Sequence, residues 1–342
     1  MKQKVARLAT AAVLFVLAPA LPAAAQSYHV AHTFKLGGDG GWDYLALDGA
    51  TNRLFIARND RIMVVDPEQG KLLGEVGGLQ RAHGIAFDRA SGRGFATSGG
   101  DASVVIFDLK TLKTLGRTKV DEDDDAILVD PATGHVFTFN GDAHTASVLD
   151  PSSGKVVGTV QLGAKPESGA ADGKGKLYVN LESSSEIAEV DASSMKVTRR
   201  WPLAPCEGPT GIAIDAAHHV LFSVCRNRIM AMSDTVSGKV VGSVAIGAGA
   251  DGARYDAETG LAFASTGGDG AVTVVHEDGP TAFTVVQAVK TQAGARTMEL
   301  DPKTHRLYTV GAELEPPPAG YEGQRRRPTI VPGSFTLLVL ER

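Results

Sequence analysis

The sequence predicts an all-β chain folded as a seven-bladed β-propeller of four-stranded antiparallel blades, on three observations. A short apolar run ending in Asp recurs seven times, at Asp48, Asp88, Asp130, Asp172, Asp215, Asp256 and Asp301, spaced 40 to 45 residues apart. Periods of that size belong to repeat architectures. Each period holds short apolar runs separated by turns, the third closing at Asp66, Asp108, Asp150, Asp191, Asp234 and Glu277. Four strands per repeat, without a helical pattern, favour a propeller blade over a solenoid coil. The last repeat, however, shows only three strands, 296–301, 306–311 and 334–341, while a spare strand, 28–36, precedes the first repeat. Letting that strand complete blade seven closes the ring and covers the open edges.

In chain order, residues 1–25 read as a cleaved signal peptide outside the fold. Lys2, Lys4 and Arg7 form a basic start, 8–18 an apolar core and Ala23-Ala24-Ala25 a small-residue cleavage site. The mature domain, 26–342, is therefore expected in the periplasm or outside the cell, with no second apolar run of membrane-spanning length. Cleavage removes three Lys/Arg and no Asp/Glu, moving the net charge from −5 to −8. An acidic chain of this kind is a poor partner for nucleic acid, which needs clustered Lys/Arg.

Blades begin near residues 43, 83, 125, 167, 210, 251 and 296. Turns such as 66–71 and 150–155 pair Asp with Pro and Gly. Asp accepts backbone N–H groups, Pro presets φ, and Gly supplies a positive φ. In blade five, Cys206 lies in the loop entering strand a and Cys225 ends strand b. An a–b hairpin brings those ends to one face, so an oxidising compartment predicts a disulfide. Between strands b and c of blade seven, residues 312–333 form a Pro-rich loop with the run Arg325-Arg326-Arg327. A lid and a tolerated surface insertion are both consistent with it.

Strand b of blade four, KLYVNL at 176–181, nearly spells YVTN, with variants at 53–58 and 306–311 and an Asp-Pro-x-Thr-Gly turn at 130–134. On those motifs residues 28–342 resemble the YVTN-repeat β-propellers, among them the periplasmic YncE-like proteins. The resemblance implies an exported seven-bladed propeller, often a binding or surface protein, and carries over no catalytic residue; a monomer is expected.

Function must then come from side chains around the channel, which strand a lines. Five residues before each strand-ending Asp stand Asp43, His83, Asp125, Glu167, Thr210, Asp251 and Arg296. These seven are expected at one channel mouth, with Trp42 beside them, as the ligand-binding set. The carboxylates of Asp43, Asp125, Glu167 and Asp251 suit a divalent cation such as Ca²⁺, Mg²⁺ or Mn²⁺, and a small molecule or protein partner is the other reading. A solvated mouth whose carboxylates only accept N–H groups is the bland alternative. His83 alone earns no separate role. Trp42 either stacks a ligand or packs between blades. Asp123, Asp124 and Asp125 add local charge, or form an exposed acidic loop.

Several chemistries are excluded. The chain lacks Cys-x-x-Cys-His, Gly-x-Ser-x-Gly and a phosphate loop with Lys, and two tryptophans are few for a quinone propeller. The reading is a ligand-binding propeller without evident catalysis. A lactonase-like metal hydrolase is the alternative, because Asn59, Asn140, Asn180 and Asn227 lie in or beside b–c loops of the same face. Anion or single-stranded nucleic-acid binding through Arg226, Arg228 and Arg325–Arg327 ranks third, since the net charge opposes it.

Overall fold

A computed structural model describes residues 27–315 and 329–342; the predicted signal peptide and Arg325–Arg327 lie outside the described residues. The described strands form seven antiparallel sheets of four, and no helix occurs among the described residues. Strand a of each blade touches strand a of the next, and blade seven returns to blade one, so the ring is closed.

Burial explains why the two middle strands read as continuous apolar runs instead of alternating. In strand b of blade one, Arg53–Arg58, residues Leu54, Phe55, Ile56 and Ala57 are fully buried. A blade is packed on both faces by its neighbours, so successive side chains on opposite faces are all removed from water. Strand d lies at the rim, and Lys71–Gly77 leaves Leu72 and Leu73 exposed. Each fully buried large aliphatic or aromatic side chain contributes about 1.5–3 kcal/mol.

The acids that punctuate the repeat terminate strands as predicted. Asp66 Oδ1 accepts the N–H groups of Glu68 (2.8 Å) and Gln69 (3.2 Å), and Asp48 accepts those of Ala50 and the Thr51 hydroxyl. These bonds satisfy turn amides that no ladder reaches.

Blade seven is completed by the N-terminal strand His29–Lys35, which pairs antiparallel with Thr336–Glu341. Tyr28 anchors the join. It is buried, its hydroxyl donates to the His305 carbonyl at 2.8 Å, and its ring meets Phe263 edge-on. Several boundaries differ from expectation, among them the last strand, which starts at Thr336 instead of 334, and strand a of blade one, which starts at Leu45. Strand a of blade seven starts at Met298 instead of 296, because Arg296 is held by side-chain contacts on the approach. In blade six, strand c continues past Glu277 to Gly279 and turns directly into Ala282–Lys290. The Asp-Pro-x-x-Gly turn that follows strand c in blades one and three is missing there.

Candidate functional site at the channel mouth

The residues at the start of each strand a, or just before it in blades one and seven, meet at one end of the channel, because the strands converge there. Convergence demands small side chains one position further in. A Cβ on Gly84 would fall 2.9 Å from the Asp125 carbonyl oxygen, and one on Gly211 only 2.4 Å from that of Asp251. Glycine alone tolerates such an approach. Inter-blade bonds hold the register: the Thr97 hydroxyl donates to Asp125 O (2.8 Å), Thr297 to Asp43 O (2.7 Å), and Asn180 Nδ2 to Thr210 O (2.8 Å).

Five of the seven predicted residues form one chain of contacts across blades six, seven, one, two and three. Arg296 Nε donates to Asp251 at 2.8 Å, while its Nη2 reaches Asp43 Oδ1 at 3.2 Å and the Trp42 carbonyl at 2.9 Å. The other oxygen of Asp43, Oδ2, accepts the Nδ1 proton of His83 at 2.5 Å. That same Nδ1 lies 3.3 Å from Asp125 Oδ1. Arg296 therefore neutralises two of the four carboxylates, and His83 sits between Asp43 and Asp125.

The two remaining residues stand apart. Thr210 is buried and its hydroxyl donates to the backbone carbonyls of Ala250 (3.0 Å) and Val224 (3.3 Å). Glu167 is 8% exposed and has no hydrogen-bond or ion-pair partner among the described residues. Trp42 is buried against Phe335, ring centroids 5.7 Å apart, so its indole packs between blades.

Charge crowding is visible in the protonation behaviour. Burial pushes Glu167 up to about 9, with Asp125 and Asp251 adding repulsion. Asp125 rises to about 7 through burial and the charge of Asp43. Burial also raises Asp251, which Arg296 restrains to about 6. Asp43 is buried as well, yet the His83 bond and Arg296 outweigh desolvation and hold it below the usual carboxylate range. His83 is raised, its two carboxylate neighbours overcoming its burial. Opposite charges and desolvation act here in opposite senses, and the unpaired acid shows the largest consequence.

Beneath the ring lies a cavity of about 110 Å³ whose lining includes Tyr44, Ile85, Ile212, Arg254 and Glu299. Tyr44 belongs to blade one but packs against the apolar cluster of blades three and four, so it spans the channel. Burial and then all four ring carboxylates raise its phenol well above its ordinary value. Arg254 and Glu299 form a two-bonded pair at 2.9 and 3.0 Å further in. The sequence reading missed these three, though a signal exists. Tyr44 is the one large residue in the column Tyr44, Gly84, Ala126, Ser168, Gly211, Gly252 and Thr297. Arg254 and Glu299 are the charged members of a column that otherwise holds Ala and Leu.

The acidic run divides into three roles. Asp123 lies 3.6 Å from Arg81, Asp125 joins the ring, and Asp124 is fully buried, accepting the Ser98 N–H at 3.1 Å. The run is thus no exposed acidic loop. Three of the four asparagines invoked for a hydrolase use their side chains to hold backbone and neighbouring hydroxyls. Asn180 and Asn140 are fully buried, Asn140 donating to Thr145 and Ser147, while Asn227 bonds Pro205 and Glu207. Arg226 pairs with Glu182, and Arg228 lies 3.8 Å from Asp269. At the opposite end, Asp215, His218 and Glu277 gather around Tyr255, whose hydroxyl contacts Asp215 (2.8 Å) and Glu277 (2.6 Å) and ties blade six to blade five.

Cys206 and Cys225 are joined by a disulfide with Cα atoms 5.6 Å apart. It ties the loop that leads into strand a of blade five to the end of strand b, as expected.

Fold and site together define a seven-bladed β-propeller with an ionisable channel mouth. Among solved structures the chain is similar to one of Kuenenia stuttgartiensis hydrazine synthase, with a TM-score of 0.70 and 15% identity over 78% of this chain and 91% of that one. At that identity the likeness shows the propeller fold. No family model and no curated protein matches the sequence. No helix among the described residues is long and apolar enough to cross a membrane.

Proposed function

We propose that the chain is an exported propeller of the YVTN-repeat kind, acting as a binding module that takes a cation, metallic or organic, at its channel mouth. One observation carries the reading: Glu167 is more than nine-tenths buried and unpartnered, beside Asp125 and Asp251, while Arg296 is engaged with Asp43 and Asp251. An acid in that state keeps its proton at neutral pH, and a positive ligand that meets it favours the ionised form and takes the place of the proton. The disulfide is in keeping with an oxidising compartment.

A cation that binds the folded state selectively raises the melting temperature with concentration. Ca²⁺, Mg²⁺, Mn²⁺ and spermidine should be titrated at constant ionic strength against the wild type and an Asp125→Asn, Glu167→Gln double variant. The expected result is a shift for the wild type that the double variant loses. Identical responses from the two proteins would overturn the reading.

A further inference from the structure

The imidazole in this acidic mouth belongs to His83, and its surroundings point to more than a cation of unspecified kind. Nδ1 of His83 faces Asp43 Oδ2 at 2.5 Å and Asp125 Oδ1 at 3.3 Å, and these three ligand atoms lie within 4.8 Å of one another. Two ligands each about 2.1 Å from one ion stand roughly 3–3.4 Å apart in common coordination geometries. The triad is thus already close to the spacing of a coordination face, with a proton where an ion would sit.

The triad is also held. Asp43 is orientated by Arg296 through Oδ1, which leaves Oδ2 directed at His83. The far edge of the imidazole, Nε2, is buried and unpartnered, and a Cβ on Gly99 would lie 3.2 Å from it. Nε2 is thus withdrawn from solvent, and Nδ1 is the nitrogen that faces both carboxylates. Outside this cluster of ligand atoms, Glu167 adds a further buried acid without a hydrogen-bond or ion-pair partner among the described residues, and Asp125 repels its charge.

We infer that Asp43, His83 and Asp125 form a site for a borderline first-row divalent ion between Mn²⁺ and Zn²⁺, bound through His83 Nδ1. Imidazole nitrogen suits these ions, whereas Ca²⁺ and Mg²⁺ prefer sets made only of oxygen. Binding replaces the Nδ1 proton, which leaves to solvent as the ion takes its place, so affinity rises with pH over the range where His83 deprotonates. The Arg296 charge opposes the ion and sets a limit to its affinity. This inference rests on the cation reading above and narrows it.

The test is calorimetric titration of the full chain with Co²⁺, Zn²⁺, Ca²⁺ and Mg²⁺, alongside the visible absorption of the Co²⁺ form. The expected result is one Co²⁺ or Zn²⁺ per chain, with affinity falling more than about a hundredfold in His83→Gln, since loss of even an outer-shell partner costs 10–100-fold. Binding of Ca²⁺, Mg²⁺ or spermidine with no preference for Co²⁺ or Zn²⁺, and no effect of His83→Gln, overturns this inference and leaves the cation reading standing. No cation bound by the wild type overturns both. Should His83→Gln fail to fold, wild-type protein labelled with ¹⁵N-histidine decides: Zn²⁺ must shift the Nδ1 resonance of His83, and an unmoved resonance overturns the inference.

Discussion

The guanidinium of Arg58 lies 3.6 Å from the ring centroid of Phe335, and this stack joins the end of strand b in blade one to the start of the last strand. Arg58 is fully buried and donates to the carbonyls of Gly41 (3.0 Å), Asp39 (2.9 Å) and Gly40 (3.1 Å), with longer bonds to Gly37 and Gly38. It thereby shapes the loop that leads from the closing strand to Trp42 and Asp43. Burial lowers its pKa to about 10, still cationic at neutral pH. The same place in blade two is Ser98, bonded to Gln80, and in blade five Cys225, cross-linked to Cys206. In these three blades the last residue of strand b fastens the loop that delivers a mouth residue.

Replacing Arg58 with Met should therefore destabilise the fold by about 3 kcal/mol, because several buried carbonyls lose their donor together. Denaturant unfolding measures it. A change below about 0.5 kcal/mol would show that the loop holds its shape without the guanidinium.

Closure of the ring depends on Tyr28 and the strand after it. Tyr28→Ala removes a buried aromatic group and the hydroxyl that meets His305, for a loss of about 3–5 kcal/mol. Deleting 27–36 should cost more and promote aggregation, because it bares the edge of Thr336–Glu341. A deletion protein that melts like the parent would refute the clasp.

The Cys206–Cys225 bridge spans 19 residues of sequence, which on the chain-entropy model corresponds to about 3 kcal/mol. A Cys206→Ser, Cys225→Ser protein should unfold at correspondingly lower denaturant. Peptide mapping without reductant should recover the cross-linked pair, and two alkylated thiols from protein made in an oxidising compartment would contradict it.

The mouth makes a prediction about pH. Glu167 and Asp125 have folded pKa values of about 9 and 7, above their unfolded values. The folded state then holds more protons than the unfolded state between about pH 4 and 9, so stability falls as pH rises through that window. His83, also raised, acts in the same sense above its unfolded value. In metal-free buffer, Glu167→Gln should gain at least about 1 kcal/mol over the wild type at pH 8 and show little difference at pH 4. Equal gains at both pH values would mean that charge is not the cause.

Much of this protein was legible from Asp48, Asp88 and their five counterparts. A strand-ending Asp caps its turn through bonds within a few residues, so the signal is local and survives in the linear chain. Seven such signals in phase set blade number, strand order and the faces of the loops. The spare strand at 28–36 and the shortfall after Gly311 even located the closure. The sequence also grouped Asp43, His83, Asp125, Glu167, Thr210, Asp251 and Arg296, because equivalent positions in a repeat occupy equivalent places around an axis. What each does there depended on neighbours from other blades, and no period encodes those. Arg296 reaches both Asp43 and Asp251, Thr210 turns to backbone, and Glu167 is left alone. Tyr44 reaches from blade one to pack against the cluster of blades three and four. Local hydrogen bonding writes itself into sequence spacing, whereas pairing across the channel is decided by side-chain reach and desolvation once the ring has closed.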